Sequence, residues 1–212
     1  MARVRIKICG VTRPDDLRAA ADAGADAVGF NFYPESPRYV TPATATSLVR
    51  LTPAGIVSVG VFVQATAREM RAAAIRLGLQ EVQWHGDGPA PAGSCGPYPL
   101  VASYRVQGPI DLEAIRANVA RCQFAAVLID AHVPGQFGGT GQTAPWHLLS
   151  GFDPGVPVIL AGGLTPENVA EAVRIVRPWG VDVASGVESS PGRKDAEKMR
   201  RFVEAVRAAE RG

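Results

Sequence analysis

The sequence predicts an α/β fold, a single (β/α)8 TIM barrel, on three observations. Eight short apolar runs recur from one end of the 212 residues to the other. Helix-patterned stretches separate most of them. The repeating units are nearly equal, at roughly 25 residues each, close to the lower size limit of a (β/α)8 barrel. An open doubly wound sheet satisfies the same alternation, but equal units favour the closed form. No linker, low-complexity tract or composition shift marks a second domain, so residues 1–212 are read as one barrel domain.

The apolar runs fall at 4–9, 27–32, 57–62, 81–85, 100–104, 126–130, 156–160 and 181–185. Several are rich in Val and Ile and almost continuously apolar, as strands covered on both faces should be. Pro14, Asp15 and Asp16 open a helix that Gly24 stops. A second helix covers 67–77 and ends at Gly78. Residues 110–121 have helical spacing, and Thr165-Pro166 is an N-cap followed by Pro, with the pattern running to Val176. A closing helix over 195–209 puts Met199, Phe202, Val203 and Val206 on one stripe. Segment 86–99 is the exception: four Pro and four Gly in fourteen residues resist a helix, so the fourth crossover helix is expected to be shortened or missing.

The composition narrows the function classes. Hydrophobic residues make up 47% and charged residues 20%, an ordinary globular balance. Formal net charge is +2 with Lys and Arg scattered among Asp and Glu, which argues against a dedicated nucleic-acid binder. Cys9, Cys95 and Cys122 are odd in number and far apart, and suggest neither a disulfide framework nor a zinc site, so a reducing cytoplasm is the default. The N-terminus has no apolar leader, and no run approaches the ~18 apolar residues of a spanning helix.

A barrel of this kind does its chemistry where strands end, at the C-terminal face. Gly162-Gly163-Leu164 follows the seventh strand, and Ser185-Gly186 follows the eighth. Glycines let backbone approach a ligand, and free N–H groups at a helix start hold an anion. Paired glycine turns at these two positions are the usual phosphate site of the fold; the plainer alternative is that they only make tight turns. Cys9 ends the first strand and shares a face with Arg5 and Lys7. A thiol there is either a small buried hydrophobe or, with a cation beside it, a base. Asp130 ends the sixth strand after an apolar run, where a carboxylate either caps the next element, pairs with a cation or takes part in catalysis.

Lys7-Ile8-Cys9-Gly10-Val11-Thr12-Arg13 resembles the opening motif of the phosphoribosylanthranilate isomerase family. The resemblance continues through Gly24-Ala25-Asp26, Gly29-Phe30, Ser36-Pro37-Arg38, Gly60-Val61-Phe62, Gln83-Trp84-His85-Gly86 and Leu128-Ile129-Asp130. It includes Gly138-Gly139-Thr140-Gly141, Leu160-Ala161-Gly162-Gly163-Leu164 and Ser185-Gly186-Val187-Glu188. The motifs run in order from residue 7 to about 195.

The resemblance implies an enzyme of tryptophan biosynthesis. It would convert N-(5-phosphoribosyl)anthranilate to 1-(2-carboxyphenylamino)-1-deoxyribulose 5-phosphate by an Amadori rearrangement, with no cofactor and no metal. On that likeness Asp130 is the general acid and Cys9 the general base. Arg38 grips the anthranilate carboxylate, and Gly162, Gly163, Leu164, Ser185 and Gly186 hold the phosphate. His85 helps to position substrate or to orient Asp130, or is a hydrogen-bonded core histidine. Asp130 has to bring its proton into the site, and a cation should lower the Cys9 thiol. Two partners are open to Lys7: Cys9, and Asp182, a further substrate-site residue, across the closure between the eighth strand and the first. The implied partner is a small-molecule substrate, with no nucleic acid and no membrane, in a monomer or homodimer.

Two departures from the family pattern stand out. The fourth crossover is usually a longer helix, and Thr143-Ala144-Pro145 precedes Trp146 where an aromatic and an Asp are usual, which puts the start of the sixth helix in doubt. Residues 135–139 read as a mobile loop that could close over substrate. The competing readings are another phosphate-binding barrel enzyme and a non-catalytic barrel that binds a phosphorylated metabolite. The first class includes an indole-glycerol-phosphate synthase, a pentose-phosphate epimerase and the histidine-pathway isomerase. The synthase would need catalytic Lys and Glu residues at several strand ends; the histidine-pathway enzyme has Asp where Cys9 stands.

Overall fold

A computed structural model describes residues 3–86, 90–91, 95–106, 108–130 and 146–211. Eight parallel strands close into a barrel in sequence order: β1 (Arg5–Cys9), β2 (Ala27–Asn31), β3 (Val57–Val63), β4 (Glu81–His85), β5 (Leu100–Arg105), β6 (Ala126–Asp130), β7 (Val158–Ala161) and β8 (Gly180–Val183). Closure is made by β8 on β1, with Lys7 opposite Asp182. The (β/α)8 barrel is therefore the architecture. Strand β7 starts two residues later than the apolar run because Pro157 has no N–H to give the ladder. Strand β8 stops at Val183, and Ser185–Val187 winds into one 3-10 turn.

The helices are α1 (Pro14–Ala23), α2 (Pro42–Leu51), α3 (Ala67–Leu77), α4 (Pro109–Arg121), α5 (Trp146–Leu149), α6 (Val169–Val176) and α7 (Ala196–Arg211). Their ends follow the local chemistry. In α1, Pro14 sits in the first turn with Asp15 and Asp16, and Gly24 ends the helix in the left-handed conformation. Thr66 and Glu69 close a capping box over α3. Among the described residues between β4 and β5 no helix forms, in keeping with the Pro and Gly content there. The helix expected from Thr165 starts only at Val169. Thr165 N–H is taken by the Asn168 side chain (2.8 Å), and Asn168 in turn donates to Gly163 O (3.0 Å), so a turn forms before the helix.

Alternation divides each strand between two layers. In β1, Ile6 and Ile8 join the large apolar layer between barrel and helices, with Phe30, Leu48, Met70, Ile115 and Phe202. The lumen is different. Val101, Ala126, Leu128, Ile159 and Ala161 fill one side with apolar side chains. Ion pairs fill the other, Arg5 with Glu81 at 3.0 Å and Lys7 with Asp182 at 2.8 Å. Closure is tied from outside: Val4 N–H donates to Glu210 (2.6 Å), and Arg207 bridges Val4 O and Asp26. Beyond β8, β9 (Glu188–Ser190) and β10 (Arg193–Lys194) form a short antiparallel ribbon. Among the described residues no helix is long and apolar enough to cross a membrane.

Candidate active site

Cys9 is the last residue of β1 and lies opposite Gly29 of β2. A Cβ at Gly29 would stand 2.9 Å from Cys9 Sγ and 3.2 Å from Lys7 Nζ, so the bare glycine provides the room in which thiol and ammonium meet. Lys7 donates to Asp182 Oδ1 at 2.8 Å, and both side chains are buried. Burial works against the Lys7 charge, but Asp182 and then Cys9 outweigh it and hold the ammonium protonated. Lys7 thus serves both partners that its sequence position allowed.

The Cys9 thiol departs from expectation. Burial pushes it up, Asp182 adds to the rise, and the pull of Lys7 and Lys194 does not offset them. The cation is present, but its charge is shared with a carboxylate in the same dry pocket.

Asp130 ends β6, half-buried, opposite Arg105 of β5 and Ala161 of β7. His85 ends β4 and senses Lys7, Asp182 and Asp130 alike. Its Nε2 lies 2.6 Å from the Gln83 amide nitrogen and 3.2 Å from Ser103 Oγ. The Gln83 amide donates to His85 Nε2 when the ring proton sits on Nδ1. Burial first, and then Lys7, lower its pKa to about 4. Trp84, one residue back, packs in the layer behind the barrel wall, and His147 is exposed on α5.

The two glycine loops meet. Gly162 and Gly163 both have positive φ (92° and 63°), a conformation that favours glycine. A Cβ on Gly186 would overlap the Leu164 carbonyl oxygen, so the backbone after β8 lies directly against that after β7. The two glycine turns therefore meet at the strand ends after β7 and β8, where barrels of this fold usually keep a phosphate site.

Arg38 crosses the mouth between β2 and β8. Its Nε and Nη2 donate to Glu188 Oε1 and Oε2, each at 2.7 Å, and Lys194 Nζ donates to Glu188 Oε1 at 2.9 Å. Gly10 has φ 75°, and a Cβ there would collide with Arg38 Cδ. The guanidinium arm therefore lies over the residue that follows Cys9. Ser36 Oγ accepts from Arg38 N–H (3.1 Å) and from Asn31 (3.2 Å), while Thr12 donates to Gly192 O at 2.7 Å. A Cβ on Gly192 would stand 2.6 Å from Pro37 O, so the β9–β10 ribbon is pressed against the Ser-Pro-Arg loop.

Cys9, Asp130, Arg38, His85 and both glycine loops thus belong to one end of one barrel. Asp182 lies a layer lower, against Lys7. Among the described residues no three His, Cys, Asp or Glu side chains are grouped so as to hold a metal ion. The expected loop at 135–139, the 138–141 motif, His132 and the 143–145 segment lie outside the described residues.

The sequence pattern of N-(5'-phosphoribosyl)anthranilate (PRA) isomerases matches residues 6–205, nearly the whole chain. The chain belongs to the phosphoribosylanthranilate isomerase family. The N-(5'-phosphoribosyl)anthranilate isomerase of Myxococcus xanthus is 49% identical over 206 residues, covering 97% of each chain. That of Thiobacillus denitrificans is 47% identical, covering 97% of this chain and 99% of its own. The phosphoribosylanthranilate isomerase of Thermotoga maritima superposes with a TM-score of 0.86 at 36% identity, over 97% of this chain and 99% of that one. A further isomerase structure, in complex with reduced 1-(o-carboxyphenylamino)-1-deoxyribulose 5-phosphate, superposes with a TM-score of 0.83 at 34% identity, over 97% of this chain and 99% of that one.

Three residues at this isomerase-family site had no role assigned from sequence. Lys194 lies outside every motif, and nothing in its neighbourhood signalled a site. Glu188 closes the Ser-Gly-Val-Glu motif, and its acid at a strand-end loop was the available signal. Gly29 stood in a quoted motif, but its use becomes visible only beside Cys9.

Proposed function

We propose that Cys9 and Asp130 are the base and the acid of an isomerase acting on N-(5'-phosphoribosyl)anthranilate in tryptophan biosynthesis, in the cytoplasm. One geometric fact supports this most: a strand-end thiol on β1 and a strand-end carboxyl on β6 open onto the same mouth as the two touching glycine loops. Asp130 gives its proton to the furanose ring oxygen, the C1–O bond breaks, and the anthranilate nitrogen takes up the developing charge as a Schiff base. Cys9 then removes the C2 proton. The electrons of that C–H bond flow to nitrogen and leave an enolamine, which tautomerises to the ketone by losing the hydroxyl proton and gaining one at C1.

The raised Cys9 pKa fits this order. Burial and Asp182 hold the resting thiol protonated, so it gives its own proton to solvent before it acts; the positive charge of the Schiff base next to C2, with Lys7, favours the thiolate that then takes the C2 proton. Lys7 supports the thiolate from below while Asp182 anchors Lys7. Gly162, Gly163, Leu164, Ser185 and Gly186 take the phosphate, and Arg38 the anthranilate carboxylate. His85, held neutral first by burial and then by Lys7, orients Asp130 or the sugar.

Phosphoribosylanthranilate generated in situ should lose its anthranilate fluorescence signature faster with the protein than by spontaneous breakdown. Cys9→Ala and Asp130→Asn should each reduce kcat/KM by roughly a hundredfold or more. No acceleration over spontaneous breakdown, or full turnover by Cys9→Ala, would overturn the assignment.

A further inference from the structure

We infer that Glu188 is a positioning residue that selects for the substrate carboxylate by holding Arg38 side-on and presenting its other edge to the mouth. This rests on the proposed grip of Arg38 on that carboxylate.

A guanidinium has five N–H donors along more than one edge. Glu188 occupies the edge made by Nε and Nη2, with both contacts at 2.7 Å. The end-on edge, one Nη1–H and the second Nη2–H, keeps two parallel donors, the spacing a second carboxylate accepts bidentately. Exposure sets the direction. The Lys194 and Glu188 side chains are 0% and 4% exposed, whereas that of Arg38 is 22% exposed. The buried carboxylate is the fixed post, and the guanidinium is the part that solvent and substrate reach.

Charge points the same way. Two cations share one carboxylate, so the Arg38–Glu188–Lys194 group carries one surplus positive charge. Without Lys194, Glu188 would neutralise Arg38 and leave it little attraction for an anion. The carboxylate stays ionised: burial raises it, but Arg38 and Lys194 outweigh burial and hold it below the usual range. Its backbone is pinned as well, since Lys198 Nζ donates to Glu188 O at 2.8 Å, and Lys194 Nζ also holds Ala184 O at 2.9 Å. A flexible Arg would have to be ordered at each binding event; here that ordering is done in advance.

The test compares Glu188→Gln, Arg38→Met and the double variant. The probes are reduced 1-(o-carboxyphenylamino)-1-deoxyribulose 5-phosphate, which carries both anions, and inorganic phosphate, which needs only the glycine loops. Glu188→Gln should weaken inhibition by the reduced compound about tenfold and raise KM more than it lowers kcat. Inhibition by phosphate should stay within about twofold, and the double variant should be no worse than Arg38→Met. If Glu188→Gln does not fold, Glu188→Gln with Lys194→Met removes the stranded cation and takes its place in the same comparison. Unchanged KM and inhibition in Glu188→Gln, with both impaired in Arg38→Met, would overturn the role of Glu188 and leave that of Arg38 standing. No change in Arg38→Met would overturn the Arg38 reading itself. Equal loss of phosphate and reduced-compound inhibition in Glu188→Gln would mark a collapsed mouth and overturn the proposal.

Discussion

The Lys7 ammonium lies 2.8 Å from the Asp182 carboxylate across the seam where β8 closes on β1, one alternation below Cys9. That contact joins the barrel's closure to its chemistry. Lys7 satisfies a buried acid and at the same time supports a buried thiol.

Removing one partner should therefore cost more than removing both. Lys7→Met strands the Asp182 carboxylate and should destabilise the fold by about 3–5 kcal/mol. Lys7→Met with Asp182→Leu should recover most of that loss, yet remain poorly active. Denaturant unfolding and the fluorescence assay separate the two effects.

Asp182 raises the Cys9 thiol, so neutralising it should lower that thiol. Asp182→Asn should speed alkylation of Cys9 by iodoacetamide at pH 8, by roughly threefold for each unit its pKa falls, since the larger thiolate fraction is partly offset by weaker nucleophilicity. Peptide mapping distinguishes Cys9 from Cys95 and Cys122. An unchanged alkylation rate would show that Asp182 does not control the thiol.

His85 should make the fold acid-sensitive. Below about pH 6.5 the unfolded chain takes up a proton at this ring, which the folded protein refuses until about pH 4. Stability should fall as pH drops through that window and level off beneath it, by a contribution on the order of 3 kcal/mol. His85→Gln should lose that component of the slope in urea melts taken from pH 7 to pH 4.

Gly186→Ala should push the β7 and β8 loops apart at Leu164. KM should rise by about tenfold or more, and inhibition by inorganic phosphate should weaken in parallel. Gly108→Ala, where a Cβ meets nothing within 4 Å, should leave both within about twofold.

The barrel was legible because strands buried on both faces are written as local apolar runs, which a single sequence displays. Helix α2 was not assigned: Pro42–Leu51 buries only Ala45 and Leu48, too little for a clear stripe, although Thr41 capping Thr44 N–H was a usable start signal. The delayed start of α6 depends on the Asn168 side chain turning back to Thr165, which periodicity does not record. The strand-end positions of Cys9 and Asp130 could be read directly. The engagement of Arg38 by Glu188 could not, because 150 positions separate them and only barrel closure brings them together. The upward push on Cys9 was hidden as well, since it comes first from burial and then from the Asp182 carboxylate on β8, which only barrel closure brings near.

The seam also bears on biosynthesis of the chain. Lys7 is translated early and its counter-ion late, so a nascent polypeptide still lacking β8 carries an ammonium with no acid to meet it. A seven-stranded intermediate that shut prematurely would trap that charge in oil-like surroundings and be driven open again. Sealing the barrel is therefore favourable only once β8 supplies the carboxylate, since an ammonium left unpaired in a dry interior is costly.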